Sequence, residues 1–295
     1  MQDTLSASGP AAVRDALDTW QSEGWRRLEQ GDPEAACLAF QQAIAAALEQ
    51  AGGGPFPGTL RRAVQGIDHC LPLLEERAPH ARLGALQTLF QAFEADVRRG
   101  ANGLAEEAAF ALLRHAGPQE RLQVSGWVRH ELAAARDERT AELYWRLLLD
   151  LEALDPGSLD AILQQCRAAG RARLVAEKLL DLDRVGEALL LARKELRDTD
   201  ELLRFANSPA AYGHMRAVMA LVEERLVRAF DPRLADWLAT RYTERGELPQ
   251  ALEVRLNLLR KAPADSDYEQ LQNLARRLGR WEQLQPQVER ILRRS

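Results

Sequence analysis

The chain has 295 residues, 46% of them hydrophobic and 28% charged, with a formal net charge of −5 and a pI near 5.7. That balance supplies a packed core and excludes a disordered chain. No apolar run approaches the roughly 20 residues that span a bilayer, and the acidic balance disfavours whole-surface nucleic-acid binding.

The first dozen residues have no basic start and no apolar stretch, so 1–10 reads as a disordered N-terminus of a cytoplasmic protein rather than a secretory signal. From there the dominant period is 3.6. Leu86, Leu89, Phe90, Phe93 and Val97 form one apolar stripe. Val185, Ala188, Leu189, Ala192 and Leu196 repeat it, as do Trp281, Leu284, Val288, Ile291 and Leu292. Strand-like alternation is nearly absent, and Ala, Leu, Glu, Gln and Arg dominate. The spacing predicts helices over about 11–30, 34–50, 59–77, 80–99, 103–115, 118–136, 138–153 and 157–169. It continues with 171–181, 183–196, 199–206, 210–228, 232–245, 248–261, 265–278 and 280–293.

The punctuation agrees. Asp32-Pro33, Gly117-Pro118, Asp155-Pro156, Ser208-Pro209 and Asp231-Pro232 read as caps followed by Pro at the first helical position. Gly31, Gly170, Gly246 and Gly279 read as caps just past a helix. Connections this short make neighbouring helices antiparallel. The exception is the Gly/Pro run at 51–58, read as a flexible loop. An N-terminal hairpin array over 11–153 and a C-terminal repeat array over 154–295 follow, two lobes meeting near 137–157. A loose repeat runs through W-R-R-L-E-Q-G-D-P-E-A-A at 25–36, Y-T-E-R-G-E-L-P-Q-A-L at 242–252 and L-A-R-R-L-G-R-W-E-Q-L at 274–284. Gly246 and Gly279 lie 33 apart in the numbering, near the tetratricopeptide period of about 34. The expected fold is all-α: an α-solenoid of antiparallel helical hairpins, tetratricopeptide-like.

Most chemistry finds no foothold. His69, His80, His115, His130 and His214 show no H-x-x-x-H spacing, and adjacent His69 and Cys70 point about 100° apart on a helix. Cys37, Cys70 and Cys166 are far apart in sequence, which fits small buried thiols in a reducing compartment rather than a disulfide framework. Ser125-Gly126-Trp127 sits in a helical pattern, not in a nucleophile elbow, and His130 reads as an ordinary surface histidine. The run Gly52-Gly53-Gly54-Pro55 lacks the Gly-Lys-Ser/Thr of a phosphate loop. Neighbouring acids such as Glu75-Glu76 and Glu223-Glu224 diverge on a helix and make solvated faces. No catalytic residue, metal or cofactor is expected.

Arginine is the distinctive residue. Lysine occurs only at 178, 194 and 261, so 36 of the 39 cations are arginine. Arg276, Arg277, Arg280, Arg290, Arg293 and Arg294 make the last hairpin basic and are the candidate phosphate- or partner-binding residues. The alternative is that cations near helix C-termini answer the helix dipole. The tryptophans, Trp20, Trp25, Trp127, Trp145, Trp237 and Trp281, fall in helical patterns that suit packing between helices.

Several segments resemble the helical region that follows the zinc finger in bacterial SWIM zinc-finger proteins. D-R-V-G-E-A-L at 183–189 resembles that family's GR-x-x-EAL helix start. Tyr242 to Gly246 with Ala251-Leu252 resembles its Y-x-x-x-G-x-x-x-AL hairpin. Y-E-Q-L-Q-N-L-A-R-R-L-G-R-W at 268–281 resembles its closing Y-x-x-L-x-x-x-A-x-x-L-G-x-W. The family's C-x-C and C-x-H ligands are absent here, so zinc binding does not carry over. The resemblance implies an accessory role in a nucleic-acid-linked complex and assigns no residue to it. The expected function is a non-enzymatic protein-interaction scaffold with a protein partner and no membrane contact. The alternative is a nucleic-acid-associated accessory factor using the Arg-rich C-terminal hairpin.

Overall fold

The computed structural model describes residues 10–49, 57–74, 78–99, 103–263 and 265–293. Residues 1–9 of the expected disordered terminus, 51–56 of the expected loop, Glu75-Glu76 and Arg294 lie outside them, while Pro10 and Pro57-Gly58 are helical. Every regular element among the described residues is a helix, and many helices adjacent in sequence pack on one another. The chain divides into two compact units, 1–162 and 163–295.

The first unit contains α1 (Pro10–Glu29), α2 (Pro33–Glu49), α3 (Pro57–Leu74), α4 (Pro79–Arg99), α5 (Leu104–His115), α6 (Pro118–Ala134) and α7 (Glu138–Ala153). Its core takes Leu17, Phe40, Ile44, Ile67, Leu86 and Leu112 fully out of solvent, each worth roughly 1.5–3 kcal/mol of burial. The Phe40 ring is gripped by two glycines. A Cβ added at Gly24 of α1 or Gly66 of α3 would stand 2.7 or 2.5 Å from it. Glycine there lets three helices converge on one ring. Trp25 meets the same ring edge-on at 5.2 Å.

Arg82 of α4 is buried because three helix ends need it. Its guanidinium donates to the Leu71 carbonyl in the last turn of α3 at 2.9 Å, and to the His115 carbonyl that ends α5. It also donates to Glu120 Oε1 at 2.8 Å, while Glu120 Oε2 accepts the Gly117 N–H that opens α6. One side chain thereby satisfies carbonyls left over at two helix C-termini.

The helix α8 (Leu159–Ala168) holds the sequence boundary between the units. Asp155-Pro156 does not open it. Asp155 instead accepts the Gly157 N–H at 3.2 Å in a local turn, and α8 begins three residues after the proline. Beyond it lie α9 (Ala172–Asp181), α10 (Val185–Glu195), α11 (Thr199–Ala206), α12 (Pro209–Gly213) and α13 (Met215–Arg228). The unit closes with α14 (Pro232–Glu244), α15 (Leu248–Lys261), α16 (Asp265–Arg277) and α17 (Trp281–Leu292). The single helix expected over 210–228 is two. The backbone leaves the helical region at His214 (φ −122°, ψ 25°), whose Nε2 lies 3.1 Å from the Leu180 carbonyl near the end of α9.

One three-residue turn recurs five times, after α1, α8, α9, α14 and α16. Its middle residue is left-handed: Gly31, Gly170, Asp183, Gly246 and Gly279, with φ between 59° and 78°. In each, the following N–H reaches back five residues, as from Asp32 to the Arg27 carbonyl or from Glu247 to that of Tyr242. The middle N–H reaches back three. This is the Schellman arrangement. Several helix starts are equally local. The carboxylates of Asp32, Asp137, Asp198 and Asp231 accept first-turn N–H groups at 2.8–3.4 Å.

Candidate functional site

In the second unit an open cleft of about 680 Å³ is lined by α11, α14, α15 and α16. Helix α14 supplies one wall because its residues fall on two faces. Leu234 and Leu238 go into the core. Arg233, Asp236, Trp237 and Thr240, spaced i, i+3, i+4 and i+7, line the cleft. Leu203 of α11 and Leu258 of α15 add apolar surface, and Gln270 of α16 adds a polar rim.

Beside these groups sits Arg255 of α15, only 3% exposed. It occupies the apolar stripe that otherwise reads Ala251, Leu252, Leu258 and Leu259. A charge in that position must be paired. Its Nη1 donates to Asp236 Oδ1 at 2.5 Å and to Asp267 Oδ1 at 3.3 Å, and its Nη2 to Thr240 Oγ1 at 3.3 Å. Two carboxylates on two helices therefore share one nitrogen. Burial pushes the Asp267 carboxyl above its ordinary 3.8, and the Asp236 charge pushes the same way against the pull of Arg255.

At one end of the cleft, Asn207 is fixed by two donors on its side-chain oxygen, Trp237 Nε1 and Arg241 Nη2, both at 2.9 Å. That orientation leaves the amide N–H₂ as its other face. The Arg241 guanidinium lies 5.5 Å from the Trp237 ring and 5.9 Å from the exposed Tyr212 ring.

The expected arginine patch falls on exposed positions. Arg276, Arg277, Arg280, Arg290 and Arg293 are all exposed on α16, α17 and their turn. Arg293 lies 3.8 Å from Glu289, and Arg290 donates to the Pro286 carbonyl. Arg276, Arg277 and Arg280 make no ion pair with another described residue.

The other candidates separate. Ser125 is buried in α6 and His130 faces solvent with 84% of its side chain exposed. His69 Nδ1 meets the Gln65 carbonyl and its ring stacks edge-on against Trp25, while Cys70 is fully buried. No group of three or more His, Cys, Asp or Glu among the described residues is placed to hold a metal ion. Outside the cleft, Trp25 packs against Phe40, Trp127 against Phe90 and Trp281 against Tyr268. Cys37 and Cys70, distant in sequence, are neighbours in space. The Cys70 thiol beside it on α3, then burial, drives the Cys37 thiol of α2 far up. Burial alone pushes Cys166 to about 12. All three are free and buried.

A second polar cluster joins α4, α6 and α7. Arg98 pairs with Glu94 and, at 2.9 Å, with Glu131. Burial, then the Glu131 charge, pushes the Glu94 carboxyl above its ordinary 4.5, with Arg98 opposing. The buried Tyr144 hydroxyl, pushed to about 12 by burial and by these carboxylates, lies behind them.

Sequence reasoning had named Trp237 but missed Asn207, Asp236, Arg255 and Asp267. The available signal was Arg255, a cation inside an apolar stripe. No known family model matches the chain, and no curated protein matches it.

Proposed function

We propose that the chain is a non-enzymatic protein-interaction scaffold of the helical-repeat type, its hairpins stacked as a tetratricopeptide-like solenoid. The observation that carries this is the cleft on α11, α14, α15 and α16: open, walled by Leu203 and Trp237, and edged by oriented polar groups. Such a surface suits side-chain recognition, and extended concave faces are what helical repeats use to bind. The recurring Schellman turn supports the repeat reading, since one backbone device joins successive helices. Three free, buried thiols fit a reducing, cytoplasmic setting.

A second reading rests on Arg276, Arg277 and Arg280, which are exposed and make no ion pair with other described residues. Such cations meet nucleic-acid phosphates, and the resemblance to the helical region of SWIM zinc-finger proteins points the same way. Affinity capture from host extract separates the two. The intact chain is compared with Asp236→Arg/Gln270→Arg, which blocks the cleft, and with Arg276→Glu/Arg277→Glu/Arg280→Glu. A protein partner that survives nuclease and the triple variant but is lost on blocking the cleft supports the scaffold. Recovery that needs nucleic acid and is lost in the triple variant replaces it with the second reading.

A further inference from the structure

We propose that the cleft of the second unit receives a lysine or arginine side chain from a partner polypeptide, its charged head held between Asp236 and Asp267. The inference rests on the scaffold reading and names the chemistry of what the cleft takes.

The first ground is an imbalance of charge. Asp236 and Asp267 share a single guanidinium nitrogen, so neither forms the two-bond fork that arginine and carboxylate prefer. The second oxygen of each carboxylate has no hydrogen-bond donor among the described residues. Neighbouring cations are committed elsewhere. Arg233, one turn before Asp236, is turned to Asp200 at 2.5 Å. Arg241 pairs with Glu244 at 2.7 Å, and Lys261 lies over the Phe230 ring. The similar arrangement at Arg173 is completed differently. There Glu177 and Glu201 share one arginine, and Arg204 brings a second cation to Glu201 at 3.3 Å. The cleft is the place where that second cation is missing.

The second ground is the buried Arg255 itself. Its Nε is enclosed without a partner, while both terminal nitrogens are drawn to groups that line the cleft. The guanidinium is thus spread across three acceptors, and an incoming cation would relieve the carboxylate excess it leaves. Burial raises the Asp267 carboxyl, and the neighbouring Asp236 charge adds to it against the pull of Arg255. The third ground is shape. Leu203, Trp237 and Leu258 offer an apolar wall beside the two acids. That suits a side chain with a hydrocarbon stem and a charged tip. The volume of about 680 Å³ is that of a pocket taking a few residues' side chains.

The test is a titration of the full chain with three labelled decapeptides of identical Gly/Leu flanks, carrying at their centre lysine, uncharged norleucine or glutamate. The lysine peptide should bind on the order of tenfold more tightly than the norleucine peptide. Asp236→Asn should remove most of that difference. Its side chain is 55% exposed, so the change leaves the core intact. Asp267→Asn should do the same, with circular dichroism confirming the fold. Equal binding of the lysine and norleucine peptides, or a lysine preference unchanged in Asp236→Asn, overturns the inference while leaving a polypeptide-binding cleft. No binding of any peptide also overturns it, and the capture experiment then decides the scaffold reading separately.

Discussion

Arg255 shows what a buried charge demands of its surroundings. Its two carboxylate partners cannot replace it, so Arg255→Ala leaves Asp267 enclosed without a cation. We expect a loss of about 3–5 kcal/mol, measured by urea unfolding. Asp236→Asn should cost no more than about 1 kcal/mol, because that carboxylate is largely in water. Glu94 gives a pH signature. Its folded carboxyl titrates above the ordinary 4.5, so the folded state holds a proton that the unfolded chain has released. The stability this provides is present below 4.5 and is lost as pH rises through the folded value. Glu94→Gln cannot ionise. Its stability relative to wild type should therefore grow as urea melts are moved from pH 4.5 to 7, and a constant difference would contradict the assignment.

At the scale of elements, the turns are the most legible feature. Gly31, Gly170, Gly246 and Gly279 announce helix ends in sequence, and each proves left-handed. An added Cβ at any of the four meets nothing within 4 Å, so the glycine is there for its backbone and not for space. Gly246→Ala should cost about 1 kcal/mol by thermal melting. Asp183 occupies the same conformation with a side chain, and Asp183→Gly should gain roughly 0.5–1 kcal/mol. Gly66 is the opposite case. Its helical backbone suits alanine, but the methyl would strike Phe40, so Gly66→Ala should destabilise by about 1–3 kcal/mol and Phe40→Leu in the same chain should restore part of it. Stripes and caps could be read from sequence because they depend on neighbours within a turn or two. The break at His214 could not, because it answers a carbonyl on α9. The cleft could not either, because Asn207, Asp236, Arg255 and Asp267 come from separate parts of the chain. Only the misplaced polarity of Arg255 hinted at it.

Over the whole chain, the two units differ in how they are fastened internally. The first relies on large rings gripped by small residues and on Arg82 joining three helix ends. It also carries ion pairs between helices, as of Arg98 with Glu131 and Arg114 with Asp68, each at 2.9 Å. The second is tied by ion pairs between helices along its length. Arg167 pairs with Glu195, Arg173 with Glu201 at 3.1 Å, Arg193 with Glu224 at 2.7 Å and Arg233 with Asp200 at 2.5 Å. The second unit also has its own core around Leu259, Leu271 and Ala275. A fragment beginning at residue 155, which keeps α8 whole, should therefore be helical by circular dichroism and melt cooperatively. A disordered fragment would show that the core is insufficient alone.

The cation in each of these hairpin pairs is a guanidinium, which keeps its proton at any pH that proteins ordinarily meet. An ammonium in the same place would begin to let go near pH 10. The fastening thus has no alkaline limit of its own. In strong base the groups forced to ionise against their surroundings are buried acids, Tyr144 and the enclosed thiols. Caustic unfolding of this chain would begin from its interior, with its surface attachments still intact.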